Sequence, residues 1–386
     1  MPGALETLRW HYQHRAAEAL ARHKAGVRVV GYTSNTVPSE LIRAAGCFPV
    51  LLGPDLETLA QPAPNADRFM EPGFDSRVRG IFEEILSGAW SFLDLLIIPR
   101  TSEPEYKLYL YLREVERQKL SAAIPPVHLY DLLHTRNPIS RKYGLARTKD
   151  LLERIQQIGP VSAKLLAQAI AESNRARSAV RKLQSLRAAP APRVSGTDAL
   201  AVSSALYFME RSAFATQAEA ACRKFKSAKK LRGPRLLIKG IPLHHPKLHQ
   251  VLEAHGAVVV AEDDWWGARA SHAKISSPRG LSAGVRAIFE NYYQHAPSPR
   301  VSPSRDADAW FKKSVEKGID GVIFYLPPDD DVYGWDYPRQ RDFVHARGTP
   351  SLLIREDASR SLSAGTTSQL QEFISALGRK PNARRP

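Results

Sequence analysis

The sequence predicts an α/β protein: two similar open, parallel-sheet domains joined by a helical segment. Three observations carry this. Short Val-, Ile- and Leu-rich runs alternate with stretches of helical spacing over the first part of the chain. The same alternation returns beyond residue 231, and the stretch between carries helical periodicity alone. The expected organisation is an N-terminal α/β domain over 1–146, a helical connecting segment over 147–230, a C-terminal α/β domain over 231–377 and a basic tail over 378–386.

In chain order, the first strands fall at "VRVVGY" (27–32), "FPVLL" (48–52), "LDLLIIP" (93–99) and "PPVHLYD" (125–131). Continuous apolar runs of this length suit a parallel sheet covered on both faces. The segments between them, "SELIRAAG", "SRVRGIFEEILSGAW" and "EPEYKLYLYLREVERQ", have helical spacing and read as crossover helices. In "AKLLAQAIAESNRARSAVRKLQSLR", residues Leu165, Leu166, Ala169, Ile170, Val180, Leu183 and Leu186 form an apolar stripe, and the Arg- and Gln-rich remainder reads as a solvated face. This stripe and the aromatic residues over 206–214 are candidate interface for a partner subunit. The second set of strands is "PRLLIKG" (234–240), "AVVVAED" (257–263), "DGVIFY" (320–325) and "PSLLIRE" (350–356), with helices near 246–255, 307–318 and 338–347. "SPRGLSAG" and "HAPSPRVSPSR" read as loops. The paired sheets have the open form of Rossmann- and flavodoxin-like domains, in which ligands bind beyond the carboxyl ends of the strands. Four loops lie at such ends: the one after Tyr32, "RTSE", "IPLHH" and "YLPPDDD".

Composition narrows the function. The 386 residues are 43% hydrophobic and 24% charged, ordinary for a globular protein. There is no run of eighteen apolar residues, and the start of the chain is charged and amphipathic, without the apolar core of a secretory signal. The expectation is a cytoplasmic protein with no membrane contact. Two cysteines, Cys47 and Cys222, exclude a disulfide framework and a cysteine-only zinc site. The net charge of +16, from 55 basic and 39 acidic side chains, favours anionic partners. Basic clusters occur at 223–235 and 378–386, but no nucleic-acid motif accompanies them, so no nucleic acid is expected.

No GxGxxG, P-loop, G-x-S-x-G or HExxH occurs, which removes the best signals for nucleotide-linked hydride transfer and triad hydrolysis. His244, His245 and His249 resemble a metal cluster, but Pro246 lies among them and no carboxylate partner is expected; surface positions at a helix start, and no metal, are expected. Asp329, Asp330 and Asp331 read as a solvated acidic loop. Trp265, Trp266 and Trp335 are either core plugs or a flat wall for an aromatic ring. The loop Thr33, Ser34, Asn35, Thr36 precedes a helix whose first N–H groups lack partners, a place that attracts oxygen-rich ligands. Glu40 stands in the first turn of that helix, where it either complements the helix dipole or faces a ligand as a base.

The stretch "VVGYTSNTVPSELIRAAGCFPVLL" resembles the opening signature of the 2-hydroxyacyl-CoA dehydratase and benzoyl-CoA reductase family, with its Gly-Tyr, polar loop, Pro-x-Glu-Leu-Ile-x-Ala-x-Gly and Pro-Val strand. The resemblance continues in order through "GAWSFLDLLIIPRTSE", "AIAESNRARSAVRKLQSLR", "RVSGTDAL", "PRLLIKGIPL", "LEAHGAVVVAEDDWWGAR", "GIDGVIFY" and "GTPSLLIRED". It implies two related α/β domains, usually in two homologous subunits, an acyl-CoA substrate, a four-iron, four-sulfur cluster, and a separate ATP-dependent iron–sulfur activator. Carried onto this chain, it makes Thr33, Ser34 and Asn35 contacts to the thioester or pantetheine, and Glu40 a base or a carbonyl-side contact.

The cluster cysteines of that family are missing here. Asp75 stands before the helix "SRVRGIFEEIL", Ser102-Glu103 follows the strand "LLIIP", and "LPPDDDVYGWDYP" follows "GVIFY". Such clusters are held by thiolate sulfur. The resemblance therefore implies no cofactor in this chain, with the cluster in a homologous cysteine-bearing subunit of a lyase or acyl-CoA reductase. Two other readings stay open: a non-catalytic acyl-CoA-binding scaffold, and a redox-independent acyl-CoA enzyme using Glu40, Glu103 and Asp329–Asp331.

Overall fold

A computed structural model describes residues 3–54, 56–59, 61–133, 135–264, 266–271, 273–276, 279–295, 298, 303–328, 330–357 and 362–378. Two four-stranded, wholly parallel sheets form its frame. The first contains β1 (Val29–Tyr32), β2 (Phe48–Leu51), β3 (Leu95–Pro99) and β4 (Val127–Tyr130) in the order β2-β1-β3-β4. The second contains β5 (Arg235–Gly240), β6 (Val258–Asp263), β7 (Gly321–Tyr325) and β8 (Ser351–Ile354) in the equivalent order β6-β5-β7-β8. Every residue of β1, β2, β3, β5 and β7 is buried, as two-sided helix cover demands, whereas the edge strands β4 and β8 are partly exposed. The two-open-sheet architecture expected from the sequence is the observed one.

This strand order places a topological switch point between β1 and β3, and another between β5 and β7. Gly240 closes β5 against β7 so tightly that a Cβ there would lie 1.9 Å from the Tyr325 carbonyl oxygen. Between the sheets come helices Pro138–Gln156, Ala163–Ala188, Gly196–Ala205 and Arg211–Ser227. The long helix 163–188 starts at Ser162, whose hydroxyl accepts the Leu165 N–H at 3.2 Å. One large core runs from the first sheet through these helices, while smaller clusters cover the two faces of the second sheet.

Four sequence expectations need correction. The stripe of helix 163–188 is interior, with Leu166, Ala169, Ile170, Val180 and Leu183 in the main core, and so are Tyr207, Phe208 and Phe214; neither is a free interface. The face taken as solvated contains Arg177 and Arg187, both buried. Residues 281–284 of the expected loop "SPRGLSAG" instead open a fifteen-residue helix, Leu281–His295, which packs Val285, Ile288 and Tyr292 into the main core. His244, His245 and His249 are buried rather than superficial, and His249 does meet a carboxylate, that of Glu262. Among the described residues, no helix is long and apolar enough to cross a membrane.

Candidate functional site

The loop after β1 lies at the first switch point, and all four of its polar residues are buried. Their hydrogen bonds run into the loop and helix that follow β3. Thr33 donates from its hydroxyl to Glu105 Oε1 at 3.1 Å, and Ser102 donates to Glu105 Oε2 at 3.2 Å. Arg77 donates to the Thr33 carbonyl at 2.9 Å and to Glu105 Oε1 at 3.1 Å. Ser34 accepts from Thr101 at 3.2 Å, Thr36 and Thr101 share a hydrogen bond of 2.7 Å, and the Asn35 amide reaches the Tyr207 hydroxyl at 3.5 Å. Burial pushes the Glu105 carboxyl up, and Arg77, Thr33 and Ser102 only partly offset this, so its pKa is raised.

Beside this loop, Glu40 is fully buried and ion-paired with Arg177. Tyr292, from helix 281–295, donates its hydroxyl to the other Glu40 oxygen at 2.9 Å and accepts from Arg177 at 3.3 Å. Burial alone would raise the Glu40 pKa, but Arg177, a backbone N–H, Arg211 and the Tyr292 hydroxyl outweigh it and hold the carboxyl below its ordinary range. Arg211 donates to Ser39 at 3.0 Å and to the Leu206 carbonyl. Together with Tyr32, Asn35, Ser173 and Tyr207 these groups line a cavity of about 30 Å³, room for one or two water molecules.

The second sheet presents a matching set of buried charges. Asp263, ending β6, accepts from Lys239 of β5 at 2.6 Å and from Arg269 at 2.8 Å. Glu262 pairs with Arg187 at 2.8 Å and with His249; these cations overcome burial and hold it ionised, at about 2. Asp264, next in line, accepts the Gly267 N–H at 2.5 Å, and burial with the neighbouring Glu262 charge raises its pKa well above the usual range. Loops from the two sheets meet. A Cβ on Gly53, beyond β2, would be 3.7 Å from the His244 ring beyond β5, and Ser76 donates to Asp357 at 2.9 Å. Burial, then the nearby Arg77 and Arg15 charges, push the His244 pKa well down, so its imidazole is neutral.

The remaining sequence-singled residues serve differently. Asp75 and Ser102 are helix N-caps: Asp75 accepts the Val78 N–H at 2.9 Å and Ser102 the Glu105 N–H at 3.4 Å. Asp330 caps helix Asp331–His345 through the Tyr333 N–H at 2.7 Å. Glu103 points outward, 69% exposed, with Lys107 3.9 Å away. Trp266 is a core plug against Tyr207, ring centroids 5.2 Å apart, whereas Trp335 is 83% exposed. Trp265, Asp329 and the tail from 379 lie outside the described residues, as does the side chain of Asp331. Arg77, Glu105, Arg177, Arg211 and Tyr292 escaped the sequence reading, although Arg177 was legible as a cation in phase with an apolar stripe.

Two four-stranded parallel sheets, each with buried carboxylate–cation groups near the carboxyl ends of its strands, define an α/β protein of two open sheets. Residues 35–377 match the model of the 2-hydroxyglutaryl-CoA dehydratase, D-component, family, and the chain belongs to that family. Over 366 residues it is 24% identical to the "Putative dehydratase subunit YjiM" of Escherichia coli (strain K12), spanning 91% of this chain and 92% of that protein. Over 362 residues it is 19% identical to the (R)-phenyllactyl-CoA dehydratase beta subunit of Clostridium sporogenes, spanning 92% and 93% respectively. The latter is by name one subunit of a multi-subunit dehydratase.

The family uses a four-iron, four-sulfur cluster, and the residues of this chain do not fit one. Both cysteines are buried away from the polar loop; Cys47 donates to the Ala45 carbonyl at 3.7 Å and Cys222 to that of Ala179 at 3.8 Å. Burial pushes each thiol up to about 11, and two separate buried thiols fall short of the four thiolates that such a cluster takes. Asp75, Ser102 and Asp330 already spend an oxygen on a helix terminus. Among the described residues, no group of three or more His, Cys, Asp or Glu side chains is placed to hold a metal ion.

Proposed function

We propose that this chain is the cluster-free subunit of a 2-hydroxyacyl-CoA dehydratase- or benzoyl-CoA reductase-type complex. It binds an acyl-CoA, while a homologous cysteine-bearing subunit carries the iron–sulfur cluster and an ATP-dependent iron–sulfur activator serves the assembly. The observation that carries this reading is the lack of cysteine at Asp75, at Ser102-Glu103 and in the segment after β7, where the resemblance expects thiolates, with Asp75 and Ser102 employed as helix caps, in a chain that matches the family over nearly its whole length.

In this reading Thr33, Ser34 and Asn35 contact the thioester or pantetheine. They stand at the switch point, on a loop with small hydroxyl and amide groups that permit close backbone approach. Glu40 is a fixed anion that orients Arg177 and Tyr292, since a carboxyl held below its ordinary range is a weak base. Glu105, with its pKa raised, is the better proton donor. Titration calorimetry with several acyl-CoAs tests the assignment. Asn35→Leu is expected to weaken binding by about 1–2 kcal/mol, the scale of a lost buried hydrogen bond. Unchanged binding by a folded variant contradicts it.

One observation favours a second reading, a non-catalytic scaffold. The hydroxyls of Thr33, Ser34 and Thr36 are engaged within the protein, and the adjoining cavity of about 30 Å³ is far smaller than a thioester ligand. No acyl-CoA binding by the isolated chain or by its complex would establish that reading.

A further inference from the structure

The helix that carries Tyr292 inward presents a different face outward. That face borders a groove of about 920 Å³, lined by Lys274, Arg279, Ser282, Arg286, Glu290 and Asn291 among others. This is the size of a site for a nucleotide-scale ligand rather than for a lone ion. Lys274, Arg279 and Arg286 are exposed and have no ion-pair partner among the described residues. The one lining carboxylate, Glu290, is already neutralised by Arg141, with Arg141 Nε 3.0 Å from Glu290 Oε2. The groove also receives the N-terminus of helix Leu281–His295, whose first N–H groups and dipole favour an anion.

An independent observation points to a ligand. Asn291 is 93% buried, lines the groove, and its side-chain oxygen has no hydrogen-bond partner among the described residues. Its orientation is fixed, because the amide nitrogen donates to the carbonyls of Ala273 at 3.0 Å and Lys274 at 3.1 Å. A buried acceptor left open is costly unless something donates to it. Inorganic phosphate matches the cations and keeps a P–OH donor at neutral pH, but it is far smaller than the groove; a phosphate ester bearing further N–H or O–H groups supplies charge, donor and bulk.

We propose that this groove is a binding site for a nucleotide-type phosphate ester, its phosphates on Lys274, Arg279, Arg286 and the helix N-terminus, and a donor group on the Asn291 oxygen. The site is separate from loop 33–36 and does not depend on a thioester binding there. Titration calorimetry on the full chain, with ADP, inorganic phosphate and CoA as probes, tests it. ADP and CoA are expected to bind saturably and to compete, with inorganic phosphate much weaker. Arg286→Glu and Arg279→Glu are expected to weaken ADP binding about tenfold or more, the loss of one charged hydrogen bond. Lys224→Glu, an equal charge change on an exposed face elsewhere, is expected to leave it unaltered. Absence of ADP binding, phosphate binding as tightly as ADP, or an equal effect of Lys224→Glu overturns the proposal. Asn35→Leu separates the two sites, since it should leave ADP binding unchanged whatever it does to an acyl-CoA.

Discussion

Arg177 and Glu40 stand 137 residues apart in sequence yet share a pocket in which neither has access to bulk water. Removing one partner strands the other. Arg177→Ala is expected to destabilise the protein by about 3–5 kcal/mol in urea unfolding, and Glu40→Gln by less, because the amide still accepts from Tyr292. The Glu40 pKa is lowered by folding, so its contribution is present above the unfolded carboxyl value and is lost as pH falls through the folded one. Stability of the native chain should therefore drop below about pH 4, and Glu40→Gln should flatten that part of the profile. Asp264 has the opposite sign. Its raised pKa makes the fold bind a proton that the unfolded chain releases, so it costs stability as pH rises above the unfolded value. Asp264→Asn keeps an oxygen for the Gly267 N–H and should raise the melting temperature at pH 7 while changing little near pH 4. A lowered melting temperature at pH 7 would contradict this. These pairings were only half legible. Ser173, Arg177 and Val180 follow Leu166 and Ile170 at steps of three and four, so the phase of Arg177 marked it as buried. Nothing in one sequence tells that its partner is Glu40.

Helix ends account for Asp75, Ser102 and Asp330. Asp75, Ser102 and Asp330 each accept an N–H three residues on, the signature of an N-cap. Replacing any one with Ala should cost about 1 kcal/mol in urea unfolding. Cys should cost about as much, because sulfur is a weak acceptor. Loss of less than a few tenths of a kcal/mol from all three would remove the caps from the account. The sheets were legible strand by strand, because apolar runs buried on both faces leave no alternation to misread. Helix 281–295 was not, although Val285, Ile288, Phe289 and Tyr292 keep helical spacing. The Gly- and Pro-bearing stretches 277–284 and 295–305 read as loops, yet the helix takes its first four residues from one and its last from the other.

For the whole molecule, the two sheets repeat one strand order, and buried ion pairs tie them to the intervening helices. Arg187, at the end of helix 163–188, holds the Val259 carbonyl at 2.9 Å and Glu262 at 2.8 Å in the second sheet, while Arg177 on the same helix holds Glu40 beside the first. A single helix thus spans both sites, and its apolar stripe serves this chain's core rather than a partner's surface. The central claim is that this scaffold keeps the family's fold without its metal centre. It is tested most directly by anaerobic reconstitution of the purified chain with iron and sulfide, followed by metal analysis and visible absorption. The account predicts a colourless protein without bound iron or acid-labile sulfide. A stable brown protein with stoichiometric iron and sulfide would contradict it.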